Sequence, residues 1–257
     1  KKIMPNPRWT HDRKLVKGAP GVVGVDEAGR GCLAGPVVAG CTILPSCFFS
    51  DSKNRKAVEK INDSKQFSEA ERNILFQKIH SWIEEGKLFG ATGSATVEEI
   101  EEHNIVGATC LAMQRAMEAA SVKSKGLWLP SQTQEADLFT QDVSEDLQWR
   151  VLVDGRPMKR LPIRHLGLIK GDTISLAVAM ASLLAKVTRD QKMRQLDRQF
   201  PHYGFASNKG YGAPVHLKAL EEHGPTEHHR PRFLRNILKE PKIEQSNTFE
   251  QSRLSLA

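Results

Sequence analysis

Gly21-Val22-Val23-Gly24-Val25-Asp26-Glu27-Ala28-Gly29-Arg30-Gly31 joins an unbroken apolar run to two carboxylates and a glycine-flanked arginine. Short valine-rich runs read as strands buried on both faces of a sheet, and in open α/β sheets ligands sit beyond the ends of such strands. The chemistry is therefore expected at this junction. Two acids suit a divalent cation, and an arginine between glycines suits a phosphate.

Outward from that stretch, residues 22–26 and 35–44 read as two strands joined by a glycine-rich turn, most economically a hairpin. Ile74, Leu75, Ile79 and Trp82 mark an amphipathic helix over 68–82, with Ser68 as N-cap and Glu71 completing a capping box. Residues 87–95 read as a third strand. Residues 104–120 read as a helix burying Ile105, Ala108, Leu111, Ala112, Ala116 and Ala119. Strands follow at 149–153 and 163–169, and Asp172 is expected to open one long helix running through Val187. A further short helix is expected over 214–222. Strands interleaved with helices in this order predict an α/β domain with a mixed central sheet flanked by helices.

The 257 residues, 39% hydrophobic, suffice for a sizeable core. The net charge of +7 is uneven, because residues 186–242 hold twelve Lys/Arg against six Asp/Glu. Such clustering suits a polyanion such as nucleic acid, or simply a solvated basic face. Cys32, Cys41, Cys47 and Cys110 form no CxxC pair and no zinc-spaced set with histidine, which fits a reducing compartment. No run approaches the ~18 apolar residues of a membrane span, so a soluble cytoplasmic protein without membrane contact is expected. The chain opens on Lys1, and residues 1–17 are basic with a single acid. That is compatible with the remnant of a mitochondrial or plastid transit region.

Asp154 repeats the arrangement at Asp26, following Val151-Leu152-Val153 and preceding Gly155, while Asp172 follows Lys170-Gly171. Singly, Asp172 reads as a helix N-cap and Asp154 as a turn residue. Glu27 and Asp26 would face opposite sides of a regular strand, so both reach one site only if the strand ends or bulges there. Carboxylates crowded together raise one another's pKa, and a divalent cation relieves that repulsion. Oxygen donors alone favour Mg²⁺ or Mn²⁺ over zinc.

The run Gly24 to Gly31, continued by Leu33-Ala34-Gly35-Pro36-Val37-Val38-Ala39, resembles the opening signature of the ribonuclease HII family, the type 2 ribonucleases H, of bacterial type. Asp63-Ser64-Lys65, Val153-Asp154-Gly155, Lys170-Gly171-Asp172, Ala185-Lys186-Val187-Thr188-Arg189-Asp190, Gly210-Tyr211-Gly212 with His216, and His223-Gly224-Pro225-Thr226 with His229-Arg230 agree in order. The resemblance spans about residues 22–233. Position 32, often proline in the family, is Cys32. Of two Asp-Ser-Lys strings, the one ending at Lys65 is chosen because the family's next helix matches only there.

The resemblance implies a ribonuclease H-like fold and a two-metal site of Asp26, Glu27, Asp154 and Asp172, holding two Mg²⁺ or Mn²⁺ ions about 4 Å apart. It also implies hydrolysis of the RNA strand of RNA–DNA hybrids and nicking 5′ of single ribonucleotides embedded in duplex DNA, leaving 3′-hydroxyl and 5′-phosphate ends. Gly29, Arg30 and Gly31 would read the ribose, whose 2′-hydroxyl is the available handle. Tyr211 would stack at the junction, and Lys65 and Lys186 would contact backbone phosphates. Two other readings stand beside this one: a DNA nuclease or strand-transfer enzyme of the wider ribonuclease H-like group, and a nucleic-acid-binding protein without catalysis.

The expected organisation is a basic segment over 1–20 and a catalytic domain over 21–198, with insertions near 46–60 and 122–148. A small helical, substrate-binding extension follows over 199–238, then a polar, disordered tail over 239–257. The acidic stretch 131–148 is expected to be solvated and mobile, and the protein monomeric.

Overall fold

In a computed structural model the described residues are 6–61, 67–130, 148–235 and 237. Five strands form one sheet in the order β3-β2-β1-β4-β5. β1 (Gly21–Ala28) pairs antiparallel with β2 (Val37–Pro45), and β2 pairs antiparallel with β3 (Phe89–Ala95). β1 also pairs in parallel with β4 (Arg150–Asp154), which pairs in parallel with β5 (Leu166–Leu168). The sheet is therefore mixed, and the expected hairpin is present. Only three residues of the segment expected as a strand over 163–169 pair in it.

Both faces of the sheet are covered. α4 (Val97–Lys123) packs Ala108, Ala112, Met113 and Ala116 against Val23, Val25 and Val153. On the other face lie α1 (Pro7–Leu15), α3 (Glu69–Glu84) and α6 (Leu176–Gln199), burying Val22, Leu44 and Leu152. α6 runs unusually close to the strands: a Cβ on Gly24 would lie 2.2 Å from the Ala177 carbonyl carbon, and one on Gly40 2.2 Å from the Ala181 oxygen. Glycine in the strand and alanine in the helix let the two backbones touch, which fixes where the helix lies along β1.

Local signals in the sequence were reliable guides where they were complete. Ser68 caps α3, and Ser68 and Glu71 form the reciprocal capping box. α4 begins earlier than expected, at a second capping box between Thr96 and Glu99, and its predicted start at Asn104 is a kink with φ 56°. The Asn104 side chain accepts from the Val106 and Gly107 amides and restarts the helix there.

The helix expected to run unbroken from Asp172 is two helices. α5 (Gly171–Ile174) ends at Ser175, which is extended (φ −105°, ψ 135°) and caps α6 by accepting from Val178. The Asp12 carboxylate explains the break, because it accepts from the Ser175 hydroxyl at 3.0 Å and the Ala177 amide at 2.9 Å. Asp12 is fully buried on α1. The basic segment over 1–20 thus contributes a helix that terminates α5 and starts α6, a role its composition did not announce.

The region near 46–60 is also folded. A 3₁₀ turn (Ser46–Ser50) and α2 (Ser52–Ala57) bury Phe48 and Phe49 against Trp9, with ring centroids 5.7 and 5.0 Å away. Beyond α6, the short helices α7 (Phe205–Asn208), α8 (Pro214–His223) and α9 (Pro231–Leu234) share a core of Tyr203, Phe205, Leu220 and Leu234 with Leu33, Ala34 and Met193. Most of the acidic stretch 131–148 and the tail beyond Lys239 lie outside the described residues. The four cysteines are free, and among the described residues no helix is long and apolar enough to cross a membrane.

Candidate active site

The carboxyl ends of β1 and β4 lie side by side because Val25 pairs with Val153, which sets Asp26 beside Asp154. Strand alternation puts Asp26 on the α6 face with Val22 and Gly24, and Asp154 on that face with Leu152. The Asp154 carboxylate accepts from the Gly171 amide at 2.6 Å, so Asp172, the next residue, is brought to the same strand ends by the first turn of α5. Asp172 is 3% exposed.

Glu27 is placed differently from expectation. β1 neither ends nor bulges after Asp26; pairing continues regularly through Glu27–Ala39 and Ala28–Val38. Glu27 therefore projects from the α4 face, where Arg30 binds its carboxylate at 3.1 Å. Its amide donates to the Asp26 carboxylate at 2.7 Å. Asp26 and Asp154 thus lie at the strand ends on one face of the sheet, Glu27 on the other, and Asp172 follows the Gly171 amide that binds Asp154. Among the described residues no three acidic, histidine or cysteine side chains stand close enough to enclose an ion as they are.

Burial holds the Asp26 carboxyl well above its ordinary range, and the negative charges of Glu27 and Asp154 push it further. Burial also raises Glu27, with Arg30 pulling the other way and Asp154 adding to the rise. This mutual repulsion is the condition that a divalent cation relieves, and an all-oxygen donor set suits a hard ion. The residues present fit Mg²⁺ or Mn²⁺ in their chemistry, as an open edge of carboxylates.

The loop after β1 is held from beneath by two buried guanidinium groups that sequence reading did not assign to the site. Arg189 on α6, 1% exposed, donates to the carbonyls of Ala34, Pro36 and Lys209. Arg230, fully buried, donates to the carbonyls of Arg30 and Gly35. Burial without an adjacent carboxylate lowers the Arg230 pKa to about 10. Both arginines stand in motifs that carried the family resemblance, but nothing in a linear string separates a buried arginine from a solvated one.

The same loop docks on the C-terminal helices. The Leu33 and Ala34 amides donate to the Gly210 carbonyl, and the Gly35 amide to that of His228. This contact brings Tyr211, 47% exposed, to the residue after Gly31, where its hydroxyl meets the Cys32 thiol; burial and that thiol raise the tyrosine pKa. Lys186 lies one turn beyond Ser182, which hydrogen-bonds Asp26, and pairs with Asp190 at 2.8 Å. Lys65 lies outside the described residues.

Beneath Tyr211 two buried imidazoles form a chain. The Thr226 amide donates to His229 Nδ1 at 3.0 Å, the two Nε2 atoms of His229 and His216 are 3.0 Å apart, and His216 Nδ1 lies 2.8 Å from the Tyr211 carbonyl. With one proton on each ring, every link is satisfied: His229 donates through Nε2 and His216 through Nδ1. Burial, then the neighbouring His216, lowers His229 from 6.5 to about 4. Between those values the unfolded chain binds a proton that the folded chain refuses, so this group's contribution to stability falls as pH drops through the window. Thermal denaturation from neutral to mildly acidic pH should show this loss, and His229→Gln should make it shallower; equal slopes would refute the assignment.

Residues 23–237 match the profile of the family described as ribonuclease HII. A ribonuclease HII of Burkholderia mallei (strain SAVP1) is 41% identical over 217 residues, covering 84% of this chain and 85% of that protein. A ribonuclease HII of Desulfitobacterium hafniense (strain DSM 10664 / DCB-2) is 41% identical over 212 residues, covering 82% and 68% respectively. Among solved structures, the ribonuclease H2 of Pyrococcus horikoshii OT3 aligns with a TM-score of 0.57 at 25% identity, covering 84% of this chain and 96% of that one. Sequence identity across most of both chains and a shared sheet thus agree with the acidic strand ends: this chain belongs to the ribonuclease HII family, nucleases with the ribonuclease H-like fold.

Proposed function

We propose that the chain hydrolyses the RNA strand of RNA–DNA hybrids and nicks 5′ of single ribonucleotides embedded in duplex DNA, leaving 3′-hydroxyl and 5′-phosphate ends. The observation that carries this reading is the docking of residues 32–35, which follow the Gly29–Gly31 segment, onto Gly210 and Tyr211 beside the acidic ends of β1 and β4. Asp26, Asp154 and Asp172, with Glu27 at the strand edge, would hold two divalent cations, Mg²⁺ or Mn²⁺, which when bound activate a water and neutralise charge on the leaving oxygen.

The chain's own groups do the rest. Gly31 leaves open space where a side chain would stand, since a Cβ there would meet nothing within 4 Å, so a sugar can approach the backbone closely. Arg30, 45% exposed in its side chain, can turn from Glu27 to a phosphate or keep that carboxylate oriented. Tyr211 presents a half-exposed ring for stacking on the nucleotide that follows the ribose. Lys186, tied to Asp190 yet partly exposed, would position a backbone phosphate, as Lys65 would from its own segment.

The test is a DNA duplex carrying one ribonucleotide, incubated with Mg²⁺ or Mn²⁺ and separately with chelator. Metal-dependent nicking 5′ of the ribonucleotide is expected, and equal cutting of all-DNA duplex would overturn the reading. Tyr211→Ala should slow the single-ribonucleotide substrate about ten-fold more than a uniform hybrid, in line with the ~1–3 kcal/mol of a base–aromatic stack. Equal loss on both substrates would remove Tyr211 from junction recognition.

A further inference from the structure

α1 and α2 enclose a cleft of about 350 Å³ lined by Trp9, Thr10, Arg13, Lys14, Lys17 and Arg55. Positions 9, 13 and 17 follow one another at four-residue spacing, with 10 and 14 beside them, so four of the six fall on one face of the helix and Lys17 continues that face two residues past its end. Four of the six are cations and none is an acid. Among the described residues Arg13, Lys14, Lys17 and Arg55 have no ion-pair partner. Trp9, 2% exposed, forms the inner wall, and its buried indole N–H has no hydrogen-bond partner among the described residues. A buried donor left unpaired is costly, so the inner wall of the cleft carries a polar group that the described residues do not satisfy.

Helix energetics explain only part of this arrangement. Arg13 and Lys14 lie in the last turn of α1, where cations complement the dipole. That accounts for neither Arg55, which comes from another helix, nor the bare indole N–H. A cleft whose charged groups are all cations takes an anion with several acceptor oxygens, which describes a phosphate group.

α1 is also wired to the catalytic end. Arg8, 7% exposed, donates from Nε to the Asp172 carbonyl at 2.8 Å, and Asp12 holds the α5–α6 junction that follows Asp172. At ~1.5 Å per residue the helix spans roughly 13 Å, so a duplex seated at the carboxylates can reach its far end. α1 precedes the residues that match the family, and α2 lies in the segment near 46–60 that reads as an insertion.

We propose that this cleft binds a phosphodiester group of the substrate duplex, on the strand beyond the cleaved position, and so extends the nucleic-acid interface over α1 and α2. The proposal rests on the hybrid-cleaving function proposed above. Occupied, it would pair the four cations with backbone phosphates in a sequence-independent way and add to affinity through counterion release.

The full chain is compared with an Arg13→Gln/Lys14→Gln/Lys17→Gln variant and with Arg55→Gln, which leaves α1 untouched. Binding to long and short RNA–DNA hybrids is measured in chelator, so that no cleavage is needed for the readout. The triple variant should bind the long hybrid about ten-fold more weakly, and the slope of log affinity against log salt should fall by roughly one to two, at ~0.9 per phosphate contact. The short hybrid should lose less, and Arg55→Gln should show the same pattern at smaller size. Unchanged affinity and slope in both variants would overturn the proposal. A thermal shift with inorganic phosphate that is lost in the variants, with the hybrid slope unchanged, would also overturn it by assigning the cleft to a free phosphate ligand. Failure of the hybrid-cleaving reading shows separately, as absent binding or metal-dependent cleavage by the parent chain.

Discussion

Asp26→Asn is expected to reduce metal-dependent hydrolysis by more than ~100-fold, since even partners one step removed from a metal cost 10–100-fold when lost. The same substitution should leave the metal-free protein at least as stable as the parent at neutral pH. Burial, Glu27 and Asp154 raise the Asp26 pKa in the folded chain, so the folded state holds a proton that the unfolded state has released. Stability therefore falls as pH rises from about 3.8 through the folded value, and the penalty persists above it. Asparagine keeps the shape and removes the charge. Adding Mg²⁺ or Mn²⁺ should raise the melting temperature of the parent and shift Asp26→Asn much less, because a ligand that binds only the folded state stabilises it. An inactive variant that is also several degrees less stable without metal would point to a structural role for Asp26.

Gly29→Ala should be the most damaging single methyl group in the loop. Gly29 has φ +93°, and a Cβ there would lie 2.0 Å from Arg189 Nε and 2.6 Å from its Cδ. The guanidinium cannot step aside cheaply, because it is pinned by the Ala34, Pro36 and Lys209 carbonyls. Left-handed backbone on alanine costs ~1–2 kcal/mol, and each buried carbonyl that loses its donor costs about 1–3 kcal/mol. A destabilisation of about 3–5 kcal/mol follows, or roughly 10 °C in melting temperature for a chain of this size. Cleavage of every substrate should fall with it. Gly31→Ala is the contrast, since its Cβ meets nothing within 4 Å. It should melt within about 1 °C of the parent, as surface changes do, yet impair cleavage if the backbone there approaches a ribose. Thermal denaturation and cleavage assays on the two variants separate the loop's structural glycine from the one proposed to face the substrate. A stable, active Gly29→Ala would contradict the bracing by Arg189.

The sequence by itself marked where most of the strands run, because alternation and valine content act over a few residues and need no distant partner. It determined the Ser68–Glu71 capping box for the same reason, as both bonds close within four residues. Resemblance singled out Asp26, Glu27, Asp154 and Asp172; strand pairing places Asp154 beside Asp26, and a backbone hydrogen bond brings Asp172 to Asp154. The tertiary structure alone decided which face each acid takes. Glu27 stays on the α4 side because β1 remains paired with β2 through Ala28, a contact the motif cannot register. It alone broke the helix after Asp172, since the cause is a buried carboxylate from residue 12, more than 160 positions away. It alone turned Arg189 and Arg230 from members of a basic stretch into the supports of the loop after β1. Local periodicity reports what a residue prefers among its neighbours in sequence; desolvation and long-range hydrogen bonds decide what it does once the chain has closed around it.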